Sequence, residues 1–362
     1  MKILFITSTS INGGAQKHIR DMFLTLSKQG NDVYLVAPSG WLMDELSQYD
    51  NHLFKMDLSI KNTKNLKKIL SQIQPDITNT FILSGAFFGV LAWKQKKYGK
   101  IFVTVNNPVL YDGVSFLQKQ IYPKVYRWLS KFASAFLVKS DTVSDEVAQI
   151  INRKKPVLSI KNGIDFSVFN KCGSYEDLRS EYNVKKDDIL ISNVAALDLR
   201  KGQRHIVDAV AELRNEYPIH VFLAGDGDDK EALIKYVTDN NAEDFVHFIG
   251  RRSDVNSVLA NSDMFILSSY HEGLPNALME ALAMGLPCIA TDVGGVRQLI
   301  RNDVEGIVIM PKSSEEIKLA IEKFLKDKEY AQTCAQNGYI NIFENYKLET
   351  ASEELKQIYL AY

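Results

Sequence analysis

Two glutamates eight residues apart, Glu272 and Glu280, flank a Gly-Leu-Pro turn and an apolar stretch that ends at Gly285. Pro275 is favourable in the first turn of a helix, and Gly285 is favourable just past the end of one. The segment therefore predicts a capped helix that carries Glu280. If most of the spacing is helical, the two carboxylates lie roughly 12 Å apart along the axis.

The start of this helix is suited to an anion. Its unpaired backbone N–H groups and its positive dipole end favour a group such as a diphosphate. Neither carboxylate belongs beside that anion, so each is better placed to bind hydroxyl groups on either side of it. The alternative is an ordinary capped helix with two solvated acids.

A glycine loop follows the first strand of each half of the chain. Gly13-Gly14 separates the first strand from the first helix, where glycine lets the backbone approach a phosphate or a sugar closely. Such a loop is also a common structural turn.

Lys201-Gly202 occupies the equivalent loop of the second half. A lysine at the carboxyl end of a strand can neutralise charge on a departing phosphate. Arg200 and Arg204 are close enough in sequence to assist it. Solvated surface side chains are the alternative for all three.

Three further loops follow strands of the second half. Gly225-Asp226-Gly227 is expected to be a supporting turn, and Gly294-Gly295 adds another. Gly250 and Arg251 are placed where a base could be read through backbone groups. Five loops converging on one rim are less expected by chance than any one of them.

Buried strands alternate with helices throughout, which predicts parallel α/β sheets. The strand–loop–helix opening at the N-terminus recurs near residue 189, so the 362 residues should form two doubly wound domains. The expected join lies in the turn after Lys161. Ligands bind at the carboxyl ends of the strands in such sheets, so a cleft between the domains is the expected active site.

Composition limits the function. Residues 1–161 contain 22 Lys and Arg against 11 Asp and Glu, whereas the remainder has an excess of 12 acidic residues. A basic front half favours an anionic partner. No apolar run reaches the roughly 18 residues of a membrane span. Three scattered cysteines predict neither disulfides nor a zinc site, and the start lacks signal-peptide features, so we expect a cytoplasmic location.

The ordered motifs resemble those of the glycosyltransferases of family 4. The resemblance covers nearly the whole chain, and the Glu272–Gly285 segment, with its Glu-x7-Glu pattern, is its specific part. The other shared motifs are Asn162-Gly163-Ile164-Asp165, Lys201-Gly202, Gly225-Asp226-Gly227 and Gly294-Gly295.

The resemblance implies an α/β GT-B fold of two facing Rossmann-like doubly wound domains. Residues 1–161 would bind the acceptor, residues 162–344 would bind the donor, and residues 345–362 would cross back to the first domain. It also implies transfer of a sugar from a nucleotide-sugar donor with retention at the anomeric carbon, without a metal ion or cofactor.

By this resemblance, Lys201 and Glu272 are the catalytic residues. Lys201 would hold the diphosphate, and Glu272 would face the donor sugar beside the backbone of Gly273-Leu274. Glu280 would bind the ribose hydroxyls, and Gly14 would close over the diphosphate from the other domain.

The chain departs from the family pattern at two positions. An arginine is usual five residues before the Lys-Gly lysine, and Ala196 stands there. A histidine often follows a front-domain strand, where this chain has Asn106 and Asn107. Asparagine can hydrogen-bond a sugar hydroxyl but cannot take its proton, so the leaving phosphate would have to accept it. Arg200 and Arg204 are the candidates to substitute for the missing arginine, although a shifted guanidinium is not equivalent.

Basic and aromatic residues interleave over residues 116–132, a pattern that favours a helix at a lipid interface. A helix packed on its own domain is the alternative. With the basic front half, the pattern predicts peripheral association with the inner face of an anionic membrane.

The resulting expectation is a hexosyltransferase that uses a UDP- or GDP-sugar and a glycan or lipid-linked acceptor in bacterial surface polysaccharide or glycolipid assembly. Two alternatives stay open: a nucleotide-sugar epimerase of the same fold and a non-catalytic nucleotide-sugar-binding partner. A nucleic-acid binder is disfavoured because no groove-reading or base-stacking motif accompanies the charge.

Overall fold

The computed structural model describes residues 1–110 and 114–362. The chain divides into two compact units. The first comprises Met1–Gly163 together with Leu348–Tyr362, and the second comprises Ile164–Lys347.

The first unit is built on a parallel seven-stranded sheet of order β3-β2-β1-β4-β5-β6-β7. Its interior strands are apolar on both faces because helices cover both sides of the sheet. The strands are β1 Lys2–Thr7, β2 Asp32–Ala37, β3 Leu53–Lys55, β4 Ile77–Phe81, β5 Lys100–Val105, β6 Ala135–Val138 and β7 Val157–Ser159.

Six helices connect these strands, and a 3₁₀ turn at Ser47–His52 precedes β3. The helices are α1 Gly14–Lys28, α2 Trp41–Glu45, α3 Thr63–Ile73, α4 Leu83–Lys96, α5 Phe116–Leu129 and α6 Asp141–Ile150.

The second unit has a parallel six-stranded sheet of order β10-β9-β8-β11-β12-β13. Strand order reverses beside β8, which is the kind of switch point at which ligands bind in open α/β sheets. The strands are β8 Ile189–Val194, β9 Ile219–Ala224, β10 Val246–Gly250, β11 Met264–Leu267, β12 Cys288–Thr291 and β13 Ile307–Ile309.

The second unit has eight helices in the described residues, and a 3₁₀ turn at Leu199–Lys201 follows β8. The helices are α7 Leu178–Glu181, α8 Gln203–Leu213, α9 Lys230–Asp239, α10 Val255–Ala260, α11 Asn276–Ala283, α12 Val296–Leu299, α13 Ser314–Lys326 and α14 Lys328–Asn345.

The last helix, α15 Leu348–Ala361, returns to the first unit and packs on α1, as the sequence predicted. Its Tyr359 side chain is fully buried against Phe102, and its hydroxyl accepts a hydrogen bond from Asn79 Nδ2 at 2.7 Å. Asn79 Oδ1 in turn accepts from Thr104 Oγ1 at 2.8 Å. The helix is therefore anchored by apolar packing and by a buried polar chain.

The predicted α/β class with two Rossmann-like units is confirmed. In each sheet every strand is parallel, so all carboxyl ends lie along one edge, called the carboxyl edge below. Three-residue strands β3, β7 and β13 were missed, because three residues are too few to show a periodic pattern.

Candidate active site

Lys201 lies at the carboxyl edge of the second sheet, at the end of the 3₁₀ turn after β8. The turn is followed by Gly202 in a left-handed conformation (φ +65°), from which α8 starts. A Cβ on Gly202 would lie 2.3 Å from the Ser268 carbonyl oxygen. Only glycine therefore allows this loop to pack on the segment after β11.

Glu272 accepts two hydrogen bonds on one carboxylate oxygen. Lys201 Nζ donates to Oε1 at 2.6 Å, and Ser269 Oγ donates to the same atom at 2.6 Å. The Lys201 and Glu272 side chains are 21% and 14% exposed, so this ion pair is shielded from water but still reachable. The structure thus brings the two predicted catalytic residues into direct contact.

The loop after β12 supports Glu272 from the other side. Gly294 is left-handed (φ +53°), and a Cβ there would lie 2.0 Å from the Glu272 carbonyl oxygen. The N–H of Gly295 donates to the Gly273 carbonyl at 2.6 Å. The Gly294-Gly295 turn therefore fixes the backbone that carries Glu272.

Helix α11 begins at Asn276, with Pro275 as its N-cap residue, one position before the predicted one. The first intrahelical bond runs from Met279 N–H to the Pro275 carbonyl at 3.2 Å, so the N–H groups of the first turn have no helical partner. At the other end, Gly285 and Leu286 close a Schellman motif, as predicted for Gly285.

Glu280 lies in the middle of α11 and is buried, with 5% exposure. Because the helix begins only at Asn276, about half of the spacing from Glu272 is helical. The helical rise between Asn276 and Glu280 is about 6 Å, and the 12 Å expectation for a mostly helical spacing does not apply.

Gly273 and Leu274 occupy the loop between Glu272 and the helix. The Leu274 side chain is buried in the core of the unit, so only its backbone is available to a ligand. The other predicted loop also packs as support: a Cβ on Gly225 would lie 1.8 Å from the Ala195 carbonyl oxygen.

The two arginines considered as substitutes for the missing arginine contact other residues of the second unit. Arg200 forms hydrogen bonds to the Asp198 carboxylate through Nε and Nη2 at 3.2 and 2.9 Å. The Arg204 guanidinium lies over the Tyr236 ring at 4.9 Å. Ala196 is exposed and offers no charged group.

Gly250 ends β10 in a left-handed conformation (φ +70°), with open space where a Cβ would stand. Arg251 follows it and is exposed. Both therefore lie at the carboxyl edge of the second sheet, where the sequence placed them.

In the first unit, Gly14 is the first residue of α1, after Gly13 in extended conformation. The N-cap residue Gly13 has no side chain, and the first turn of α1 contains no acidic residue. Asn106 and Asn107 follow β5 at the carboxyl edge. Asn107 is exposed, whereas both polar atoms of the Asn106 amide are shielded from solvent and have no partner among the described residues.

Sequence reasoning missed three polar residues at these edges. Ser269 is the second residue after β11, and the two serines after a buried strand were the available signal. His18 and Lys139 form a buried pair in the first unit, with Lys139 Nζ 2.8 Å from Nε2 and 3.2 Å from Nδ1 of His18. They are 121 residues apart, so no sequence pattern connects them.

In residues 1–110 and 114–362, no group of three or more His, Cys, Asp and Glu side chains is arranged to hold a metal ion. Across the same ranges, every helix is too short or too polar to cross a membrane.

Comparison with known proteins identifies the family of the chain. Residues 12–168 match the family described as Glycosyltransferase Family 4, and residues 174–340 match the family described as Glycosyl transferases group 1. The two parallel-sheet units and these matches define a glycosyltransferase of the GT-B fold. Within that class, the chain belongs to glycosyltransferase family 4.

Relatives and solved structures match along most of the chain. The Escherichia coli UDP-Gal:alpha-D-GlcNAc-diphosphoundecaprenol alpha-1,3-galactosyltransferase is 24% identical and covers 99% of this chain and 97% of its own. The Campylobacter jejuni N,N'-diacetylbacillosaminyl-diphospho-undecaprenol alpha-1,3-N-acetylgalactosaminyltransferase is 23% identical, with 93% of each chain covered. The crystal structure of Anabaena Alr3699/HepE in complex with UDP-glucose superposes over 100% of both chains with a TM-score of 0.90 and 19% identity, a likeness of fold.

Proposed function

We propose that this protein is a retaining glycosyltransferase that moves a hexose from a UDP-sugar to a sugar on a diphosphate-linked lipid, in the assembly of a bacterial surface polysaccharide or glycolipid. The observation that carries the proposal is the Lys201–Glu272 pair at the carboxyl edge of the second unit. The Lys201 cation suits the diphosphate of such a donor, and the Glu272 carboxylate suits the hydroxyls of its sugar.

In the proposed reaction, Lys201 leaves Glu272 to bind the donor diphosphate. The bond between the anomeric carbon and the diphosphate oxygen breaks, and the acceptor hydroxyl forms its bond on the same face. The hydroxyl proton passes to the departing phosphate, which needs no basic side chain and so tolerates Asn106. The Lys201 ammonium neutralises charge on the leaving group, in place of a metal ion.

Glu272 and Glu280 have separate proposed roles. Glu272, freed from Lys201, accepts hydrogen bonds from hydroxyls of the donor sugar, while Ser269 holds the carboxylate in place. Glu280, buried in α11, accepts from the ribose hydroxyls. In the proposal, backbone N–H groups of the Gly273-Leu274 loop donate to the diphosphate, with Gly250 and Arg251 as further donor contacts.

Relatives support the choice of substrates. The Escherichia coli enzyme is named for UDP-Gal and a diphosphoundecaprenol-linked acceptor, and the Campylobacter jejuni enzyme for a diphospho-undecaprenol-linked acceptor. The Anabaena protein is described with UDP-glucose bound. A UDP-sugar and a diphosphate-linked lipid are therefore the first substrates to test, with Asn106 and Asn107 on the acceptor side.

Helix α5 is the proposed contact with the membrane. Phe116, Leu117 and Ile121 on its first half are 80%, 65% and 43% exposed, and Lys119 and Lys124 are exposed beside them. Exposed apolar and basic side chains on one helix suit an anionic lipid surface at the inner face of the membrane.

Cosedimentation with anionic vesicles tests this contact. Leu117→Asp should weaken binding about tenfold, since one buried leucine contributes roughly 1.5–3 kcal/mol. Leu319→Asp, an equally apolar exposed change on α13 of the second unit, should leave binding unchanged. Equal vesicle binding by the wild-type protein and both variants would exclude α5 as the membrane contact.

The transfer reaction is tested in two stages. Thermal shift against UDP-, GDP- and ADP-sugars identifies the nucleotide, and the preferred donor is then incubated with a sugar on a short-chain prenyl diphosphate. NMR of the product should show the donor's anomeric configuration, and activity should persist in EDTA. Inversion would refute the retaining mechanism, conversion of the sugar without acceptor would indicate an epimerase, and donor binding without turnover would indicate a non-catalytic partner.

A further inference from the structure

Three polar residues lie at the carboxyl edge of the first sheet and are called the edge cluster below: the buried His18 and Lys139 and the partly buried Asn106. Lys139 directly follows β6, and its Nζ lies 2.8 Å from His18 Nε2 on α1. Both side chains belong to residues that are only 4% exposed. The pair is therefore desolvated although it consists of two bases.

Asn106 is the neighbour of Lys139 along this edge. Val105 of β5 and Val138 of β6 are register partners, and Asn106 and Lys139 are the residues that follow them. Alternation along a strand places Asn106 on the same side of the sheet as Phe102, which packs with α1 residues in the core. This is the side on which Lys139 meets His18.

The edge cluster has no counter-ion in the part of the chain that the structure describes. Burial lowers the pKa of Lys139 well below its ordinary value, and burial followed by the Lys139 charge lowers the pKa of His18. No carboxylate contributes to either shift. Protonating both of two basic groups 2.8 Å apart in a desolvated site is opposed by the repulsion between the two charges.

The Asn106 amide also carries a free-energy cost in the folded protein. Both of its polar atoms are shielded from solvent without a partner among the described residues. Buried polar groups in folded proteins are nearly always hydrogen-bonded, and an unsatisfied one costs roughly 1–3 kcal/mol. The Asn106 amide has no partner, and the Lys139–His18 pair on the next strand has no counter-ion, among the described residues. This combination points to a ligand-binding site.

We propose that the edge cluster binds a phosphate group of the diphosphate-linked acceptor and takes up one proton from solvent as that anion enters. This inference rests on the proposed function, because it assigns the acceptor's diphosphate to the first unit. With the anion present, the Lys139 amine becomes an ammonium and donates to a phosphate oxygen. His18 and the Asn106 amide N–H provide the other donors.

The chemistry of the edge cluster favours an anion over other ligands. A cation would meet two bases with no carboxylate beside them in residues 1–110 and 114–362, and a neutral hydroxyl group would supply no charge to balance a protonated Lys139. An anion supplies that charge, and a shielded ion pair with it is stronger than one in water.

Calorimetric titration with inorganic pyrophosphate tests the proposal on the full chain. UDP is kept saturating so that the proposed donor site is occupied, and two buffers of different ionisation enthalpy report proton uptake. We expect pyrophosphate to bind with uptake of a proton. Lys139→Gln should weaken binding about tenfold or more and abolish the uptake, since a hydrogen bond to a charged group contributes roughly 1.5–3 kcal/mol.

Two further variants guard against misfolding and nonspecific charge effects. Asn106→Ala leaves the Lys139–His18 pair intact and should weaken pyrophosphate binding while proton uptake persists. Lys28→Gln removes an exposed lysine of the same unit, at the far end of α1, and should change neither. Unaltered binding in both Lys139→Gln and Asn106→Ala, binding abolished by UDP, or binding without proton uptake would each overturn the proposal.

Geranyl diphosphate and geraniol separate the lipid-linked ligand from free diphosphate. Geranyl diphosphate should bind with the same dependence on Lys139, and geraniol should not. Binding of pyrophosphate with exclusion of geranyl diphosphate would overturn the assignment to the acceptor. UDP binding is measured in the same series, so a protein that binds no UDP would refute the proposed function while the titration without UDP still tests the edge cluster.

Discussion

Lys201 Nζ and Glu272 Oε1 lie 2.6 Å apart, although the two residues are 71 positions apart in sequence. Three backbone relationships hold them there: Gly202 packs under the Ser268 carbonyl, Tyr270 N–H donates to the Arg200 carbonyl at 2.7 Å, and Gly294 packs under the Glu272 carbonyl. In the structure, Glu272 is the anionic partner of Lys201. In the proposed mechanism, the donor diphosphate replaces this carboxylate at Lys201.

Lys201→Met should lower turnover by roughly 100-fold or more, the effect of losing one group that stabilises charge in the transition state. Steady-state kinetics with the preferred donor measures the change. Lys235→Met removes an exposed lysine of the same unit and should be neutral. A Lys201 variant with wild-type turnover would remove this residue from the mechanism.

Ser269→Ala should reduce kcat/KM about fivefold, because it deletes one of two hydrogen bonds to Glu272 Oε1, worth about 1 kcal/mol. The donor's dissociation constant should change less than kcat, since Lys201 still contacts the diphosphate. Ser262→Ala is a suitable control: this buried serine bonds only the Val258 carbonyl within its own helix end. If both variants lose activity equally, Ser269 has no specific positioning role.

Gly294→Ala should destabilise the second unit and shift Glu272, because the added Cβ would lie 2.0 Å from a backbone oxygen. Urea unfolding and kinetics measure the two effects. Gly285→Ala provides a matched control with the same left-handed backbone but only the flexible end of Lys171 nearby, and should cost about 1–2 kcal/mol. Equal losses in the two variants would show that backbone strain alone matters at Gly294.

Acidification should destabilise the protein through His247. Burial, followed by the neighbouring His220, lowers the pKa of His247 from 6.5 to about 4. The unfolded chain then binds a proton at a higher pH than the folded protein does. The free energy of unfolding consequently falls as the pH drops from about 6.5 to about 4, and this contribution is constant outside that window.

His247→Gln should flatten this part of the pH profile in urea unfolding experiments. His220 lies 3.0 Å from His247 and also has a lowered pKa, through burial, so part of the slope should remain in the variant. An unchanged profile would show that His247 is not responsible.

Apolar runs and turn residues in the sequence were sufficient for the fold class. The interior strands β8, β9, β11 and β12 are each a buried apolar run between turn residues, which is the pattern that predicts a strand from sequence. The same reasoning placed Gly285 at the end of α11. The same reasoning expected Pro275 inside the first helical turn, whereas Pro275 is the N-cap residue, one position earlier. Proline is compatible with both positions at the start of a helix.

The sequence by itself determined which residue types stand after which strands: Lys201 after β8, Glu272 after β11, Asn106 after β5 and Lys139 after β6. Only the tertiary structure decided which of them meet. Strand order brings together segments that are distant in sequence, and it depends on how the helices pack on each sheet. The Lys201–Glu272 and His18–Lys139 contacts, and the unpaired amide of Asn106, arise from that packing, because hydrogen bonds and desolvation act between neighbours in space.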